Sequence, residues 1–256
     1  MTPTLVLFDI DGTLLSAGRA ARESVLTALA EVYGWKSGNG NTHDFSGKTD
    51  PQIVRELVEK DVGRERCEAL MDKALARYLE EFERLLTPGA VVTKPGVTEL
   101  LARLDAEPRV TLGLLTGNLE RGARMKLEPP GLNPYFSFGA FGSDSADRYC
   151  LPEIAVGRAR QRSGRSFSGK SIVIVGDSVH DVLCGRALNV RSVAVATGPT
   201  PAARLAETGP DALLESFGSK YFEIILDNSV FDQMEARLNN DEAALSIQWL
   251  RHEQFS

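Results

Sequence analysis

Three clusters of oxygen-bearing side chains stand directly behind apolar runs in this sequence, and their residue types suit them to chemistry. The first, Asp9-Ile10-Asp11-Gly12-Thr13, follows Leu5-Val6-Leu7-Phe8. Ionised carboxylates two residues apart repel each other and weaken a plain turn unless a cation or a reaction requires them. A lone Asp-Gly, by contrast, ordinarily makes a turn whose Asp caps a helix. The second, Leu114-Leu115-Thr116-Gly117-Asn118, offers a hydroxyl and an amide that could hold a phosphoryl oxygen, although Thr-Gly-Asn is also an ordinary strand-to-helix turn. The third is Val175-Gly176-Asp177-Ser178-Val179-His180-Asp181, whose carboxylates at 177 and 181 lie on neighbouring faces of one helical turn, ready to hold a metal and a basic side chain. A basic residue is available at Arg148, ahead of a helix that starts near Pro152.

The elements that must position these residues show as an alternation. Apolar runs at Leu5 to Phe8, Val110 to Leu115, Ser171 to Val175 and Val193 to Val195 are each followed by a Gly, Asp, Thr or Asn cluster and then by helical periodicity. Continuous apolar strands separated by helices are the pattern of a parallel sheet covered on both faces. The class is α/β, a Rossmann-like parallel-sheet core, and reactive residues of such a sheet gather at the carboxyl ends of its strands. Residues 19 to about 86 break the rhythm. Val25, Leu29, Val32 and Tyr33, then Leu70, Met71, Ala74, Leu75, Tyr78, Leu79, Phe82 and Leu86, recur at helical spacing with no strand-like run between them. An inserted all-helical cap is expected there, hinged at Ser16-Ala17-Gly18 and at Thr87-Pro88-Gly89 with Lys94-Pro95-Gly96. Within it Gly38 to Thr42 reads as a loop and Phe45 to Asp50 as another, with Asp50 capping a helix that has Pro51 at its first position. The core is assigned to residues 1–16 and 90–218, the cap to 17–89, and an atypical C-terminal tail to 219–256, with amphipathic stretches at Phe231 to Leu238 and Ala243 to Leu250.

Composition narrows the partners. The 256 residues are 43% hydrophobic and 25% charged, the balance of a folded globular protein and not of a disordered or coiled-coil chain. With 29 basic against 35 acidic residues and a net charge of -6, no general positive field exists to hold nucleic acid or an anionic membrane, so any phosphate has to be bound locally. Cys67, Cys150 and Cys184 are an odd, widely spaced set without a CxxC, which argues against a disulfide framework or a zinc site and reads as buried thiols in a reducing compartment. The run Leu5 to Phe8 is cut off by Asp9, too short for a signal peptide, and no later stretch reaches the ~18 apolar residues of a membrane span. A cytoplasmic location is expected.

The Asp-x-Asp-Gly-Thr and Gly-Asp-x-x-x-Asp motifs, in this order around Thr116, resemble those of the haloacid dehalogenase superfamily of phosphohydrolases over residues 4–215. Among its branches the chain looks most like the phosphoglycolate phosphatase and β-phosphoglucomutase group, with a helical cap after the first motif. The resemblance implies a magnesium-dependent phosphatase acting on a small phosphorylated metabolite. It implies Asp9 as the nucleophile that becomes an aspartyl phosphate, and Asp11 as the acid that protonates the leaving alcohol and then the base that activates water. Thr116, Gly117 and Asn118 would hold phosphoryl oxygens. Asp9, Asp11 through its main-chain carbonyl, and Asp177 would bind a magnesium ion, Mg2+. Asp181 would orient the metal waters or the basic residue. That basic residue departs from the family pattern of a Lys followed by Pro, for here Arg148 precedes Tyr149-Cys150-Leu151-Pro152. A guanidinium can clamp phosphate bidentately, so Arg148 is the first choice, with Lys170 and Lys126 as alternatives.

In the cap, Gly47 and Lys48 lie where related enzymes present a substrate-facing loop, so Lys48 could meet a second charge on the substrate or stand as an exposed Lys beside a helix start. Arg19 and Arg22 are weaker candidates of the same kind. His43 and His180 read as surface polar residues, because neither has a His or Cys partner at metal-ligand spacing. Mutases of this group carry a His in the early cap helix, where this chain has Ala21 and Arg22, which tilts the choice from phosphomutase to hydrolysis. The presence of Asp11 disfavours a dehalogenase. The alternative from another class is a non-catalytic metabolite- or protein-binding module, which loss of Asp9, Asp11 or Asp177 would have favoured. Neither nucleic acid nor membrane is expected as a partner, and monomer or homodimer both stay open.

Overall fold

The computed structural model describes residues 2–36, 40–218 and 221–226. In chain order, β1 (Thr4–Phe8) and β2 (Leu15–Ser16) precede three helices, α1 (Ala20–Tyr33), α2 (Asp50–Val62) and α3 (Arg64–Leu85). Next come β3 (Val92–Thr93), α4 (Val97–Asp105), β4 (Val110–Leu115), α5 (Glu120–Leu127), β5 (Gly139–Ala140) and α6 (Leu151–Ser163). The chain continues through β6 (Ile172–Gly176), α7 (Val179–Cys184), β7 (Arg191–Val195), α8 (Ala202–Glu207), β8 (Ala212–Leu214) and α9 (Tyr221–Leu226).

Six of the strands form one parallel sheet in the order β5-β4-β1-β6-β7-β8. Its centre is β1, all five of whose residues are buried. Side chains alternate across a strand. Val6 and Phe8 therefore enter one core with α4 and α5, while Leu5 and Leu7 enter another with Leu151, Ala155 and Ala159 of α6. Phe8 stands level with Leu114 of β4 and Val175 of β6, so the three strands end side by side. That places Asp9, Thr116 and Asp177 at adjacent carboxyl ends.

Between β2 and β3 the described residues hold helices only. Val25, Leu29 and Tyr33 of α1 and Met71, Ala74, Tyr78, Leu79 and Phe82 of α3 are buried together, as their spacing requires. Buried donors find partners, Tyr33 Oη on the Cys67 carbonyl and Trp35 Nε1 on Asp61, both at 2.8 Å. The chain leaves and rejoins the sheet through an antiparallel ribbon, Leu15 opposite Thr93 and Ser16 opposite Val92. One expectation needs correction here. The N-cap of α2 is Thr49, whose Oγ1 accepts from the Gln52 amide at 3.2 Å, and Asp50 and Pro51 are its first two residues. The Asp50 carboxylate is taken by the Leu119 amide at 2.8 Å.

Cys67 and Cys184 are buried free thiols, whereas Cys150 is exposed. None of the helices among the described residues is long and apolar enough to cross a membrane. The amphipathic stretches expected at 231–238 and 243–250 lie outside the described residues. Of the tail, α9 packs on α4, with Arg103 over the Phe222 ring and paired to Glu223 at 2.9 Å.

Candidate active site

Asp9 is the first residue past β1, tied to the sheet by its amide on the Val175 carbonyl at 2.9 Å. Asp177 follows β6, and its Oδ1 accepts from Thr13 Oγ1 at 2.9 Å. Asp181 lies on α7, whose N-cap Ser178 gives it both its amide (2.9 Å) and its hydroxyl (2.6 Å) on Oδ2. Ligand atoms of Asp9, Asp177 and Asp181 come within 4.8 Å of one another, and all three residues are buried. Burial, then repulsion by Asp181, pushes the Asp9 carboxyl up, with Arg148 opposing. Burial, then Asp9 and Asp181, does the same to Asp177.

The structure brings Arg148 into this group and leaves Lys170 out of it. Arg148 is the first residue of a short turn leading into α6, and it is 2% exposed. Its Nη2 donates to Asp9 Oδ1 at 3.1 Å, to the Leu115 carbonyl at 3.3 Å, and to Asp181 Oδ1. Burial works against its charge, but Asp181 and Asp9 hold it protonated. With both its oxygens engaged, Asp181 serves to orient Arg148. Lys170 sits at the other end of β6, paired to Asp211 at 2.5 Å.

The Asp11 side chain has partners of its own. Its carboxylate is outside the group of Asp9, Asp177 and Asp181, and Oδ2 accepts from Lys126 Nζ at 2.6 Å and Asn118 Nδ2 at 2.7 Å. Asn118 also donates to Thr116 Oγ1 at 2.8 Å and accepts from Lys126 at 2.6 Å. Its amide is thus engaged at both ends, ordering Thr116, Asp11 and Lys126. The Thr116 hydroxyl is an acceptor in that network and donates its own hydrogen to no partner among the described residues.

The loop 45–50 of the helical segment lies against this network. A Cβ at Gly47, where φ is 68°, would collide with Ser178 Oγ, and one at Gly117 would collide with the Lys48 carbonyl. The Asp50 amide donates to the Gly117 carbonyl at 2.8 Å, and Thr49 Oγ1 to the Ala146 carbonyl at 2.7 Å. Lys48 is paired to Glu56, which also meets His43. A cleft of about 440 Å³ opens beside them, lined by Gln52, Arg55 and Glu56 of α2 and by Asp147, Tyr149 and His180. His180 therefore lines the cleft, with Tyr149 Oη 3.4 Å from its Nδ1. Arg22 turns to the carbonyls of Gly40 (2.7 Å) and His43 (2.8 Å) and orders their loop, and Arg19 precedes α1 as its N-cap. Sequence reasoning missed Asp50, Thr49 and Ser178. Only Ser178 carried a signal, as the residue after the Gly-Asp of the third motif.

Residues 6–195 match the haloacid dehalogenase-like hydrolases, and the chain belongs to this family. It is a hydrolase with that family's sheet and strand-end carboxylates. It is 25% identical over 260 residues to phosphoglycolate phosphatase 1 of Pseudomonas aeruginosa, covering 97% of this chain and 91% of the relative. It is 27% identical over 216 residues to a phosphoglycolate phosphatase of Agrobacterium fabrum, covering 84% and 89%. A solved hydrolase from Pseudomonas syringae shares the fold with a TM-score of 0.66 at 19% identity, covering 87% of this chain and 98% of that one.

Proposed function

We propose that the chain is a magnesium-dependent phosphatase of a small phosphate monoester, phosphoglycolate or a sugar phosphate, working through an aspartyl phosphate on Asp9. The observation that carries this reading is the meeting of Arg148 with Asp9 and Asp181 at the end of β1. The buried Nε of Arg148 has no partner among the described residues, and an orphaned buried donor costs about 1–3 kcal/mol unless a ligand takes it. A phosphoryl oxygen in contact with Asp9 fits that need.

The donor set suits magnesium. It consists of oxygen atoms only, and no basic side chain among the described residues pairs with Asp177. Because both Asp181 oxygens are engaged, Asp9, Asp177 and the main-chain carbonyl of Asp11 are the residues that would hold the ion. When bound it offsets the carboxylate repulsion and draws charge from the phosphoryl oxygens.

In this reading an Asp9 oxygen attacks phosphorus as the bond from phosphorus to the leaving oxygen breaks, and Asp11 supplies the proton that the leaving oxygen takes. Asp11 then accepts a proton from the water that attacks the aspartyl phosphate. Arg148 and the Thr116 hydroxyl hold the phosphoryl oxygens, where charge is greatest in the transition state. The cap is assigned to residues 17–89, and its loop 45–50 closes on the core to keep water out. Arg22 is committed to loop carbonyls and Ala21 has no titratable group, so neither position offers the second acid or base that phosphomutation needs. The test is phosphate release from phosphoglycolate and a panel of sugar phosphates, with magnesium and with excess EDTA, on wild type and Asp9→Asn. Release only by wild type and only with magnesium supports the reading. Turnover by Asp9→Asn, or full activity in EDTA after dialysis, overturns it.

A further inference from the structure

The mechanism above gives the buried ammonium of Lys126 no task. The Lys126 side chain is 2% exposed, and buried ammonium groups occur where they are paired. It stands on the last turn of α5, with Nζ 2.6 Å from both Asp11 Oδ2 and Asn118 Oδ1. The Phe82 ring of α3 covers it from the cap side, its centroid 5.5 Å from Nζ.

We propose that Lys126 is a positioning residue that fixes Asp11 for proton transfer through Oδ1, an inference that rests on the acid and base reading of Asp11. The Asp11 side chain is 44% exposed, and a surface carboxylate is otherwise free to turn among rotamers. Two donors on Oδ2 stop that rotation and leave Oδ1 without a hydrogen bond among the described residues. As the bond from phosphorus to the leaving oxygen breaks and the bond to Asp9 forms, the proton passes from Oδ1 to the leaving oxygen. The negative charge left on Asp11 then lies against an ammonium shielded from water by α3. Such an interaction strengthens as the charge develops, so it acts on the transition state. Lys126 makes no hydrogen bond or ion pair with Asp9, Arg148 or Asp177 among the described residues, which separates this role from that of a phosphate clamp.

The test is a leaving-group series, ring-substituted phenyl phosphates from 4-nitro to 4-methoxy, with kcat/KM measured for wild type, Lys126→Met and Asp11→Asn. A nitrophenolate leaves without a proton and a methoxyphenolate needs one, so loss of a positioned acid steepens the dependence on leaving-group acidity. Lys126→Met is expected to lower kcat/KM less than about tenfold for 4-nitrophenyl phosphate and about a hundredfold for the 4-methoxy ester, with Asp11→Asn at least as steep. The ratio of the two substrates on one preparation does not depend on the folded fraction. Lys126→Gln carries the same series if Lys126→Met gives no soluble enzyme. A uniform loss across the series in a Lys126 variant, with Asp11→Asn steep, overturns the positioning role alone. A uniform loss in Asp11→Asn overturns the acid reading beneath it.

Discussion

Asp50 offers the most quantitative test of how α2 sits against the strand ends. It is 8% exposed, its amide bonds the Gly117 carbonyl, and its carboxylate accepts from the Leu119 amide. Burial pushes that carboxyl from 3.8 up to about 6, although Lys126 and the Leu119 bond oppose the rise. The folded state therefore holds the proton more tightly than the unfolded chain does. The stability this contributes is fully present below pH 3.8 and is lost as pH rises through about 6. Above that, the charged side chain works against folding by about 2–3 kcal/mol, at 1.36 kcal/mol for each tenfold change in proton affinity. Asn keeps the acceptor for Leu119 and cannot ionise. Asp50→Asn should then be more stable than wild type by about that amount at pH 8, with the gain shrinking towards zero as pH falls to about 4. Urea denaturation of both proteins at about pH 4.5, 6 and 8 measures it, and titrating groups that do not interact with Asp50 cancel in the difference. A difference that does not change with pH, or a wild type more stable than the variant at pH 8, refutes the argument.

Two further outcomes follow from contacts around the site. Arg148→Ala should lower kcat by about a hundredfold or more and, by leaving Asp9 and Asp181 buried without a counter-charge, stability by about 3–5 kcal/mol; a folded variant with wild-type kcat in steady-state assays contradicts this. Gly47→Ala puts a methyl group against Ser178 at a φ of 68°. The strain of about 1–2 kcal/mol should lift the 45–50 loop, raise KM about tenfold and lower the unfolding free energy in urea by no more than that strain, and an unchanged KM contradicts it.

Strands that are buried on both faces could be read directly from the sequence. The run at 110–115 coincides with β4, and Leu5 to Phe8 falls short of β1 by one residue. The edge strands β5 and β8 escaped because two or three residues carry no period. The carboxylate clusters were visible for the same reason as the strands they follow, since polar residues end an apolar run abruptly. What needed the fold was the choice between chemically equal neighbours. Thr49 and Asp50 are both good caps, and the nearby Leu119 amide decides which of them is free for α2. Lys126 and Lys170 were equal alternatives, yet one is buried against Asp11 and the other pairs with Asp211 beyond the opposite strand ends. Spacing along the chain does not say which side chain turns towards a site assembled from distant segments.

The pairing of Leu15 and Ser16 with Thr93 and Val92, extended by the Lys94 amide on the Leu14 carbonyl at 2.9 Å, has a mechanical meaning. A two-stranded ribbon is stiff within its own plane, because sideways bending would stretch one strand's hydrogen bonds and compress the other's. Out of that plane it flexes by small turns of φ and ψ alone. The three helices therefore sit on a leaf spring with one soft direction. Any swing of theirs on this ribbon would follow an arc, whose return would bring Gly47 to Ser178 and Phe82 over Lys126 without a search through other orientations.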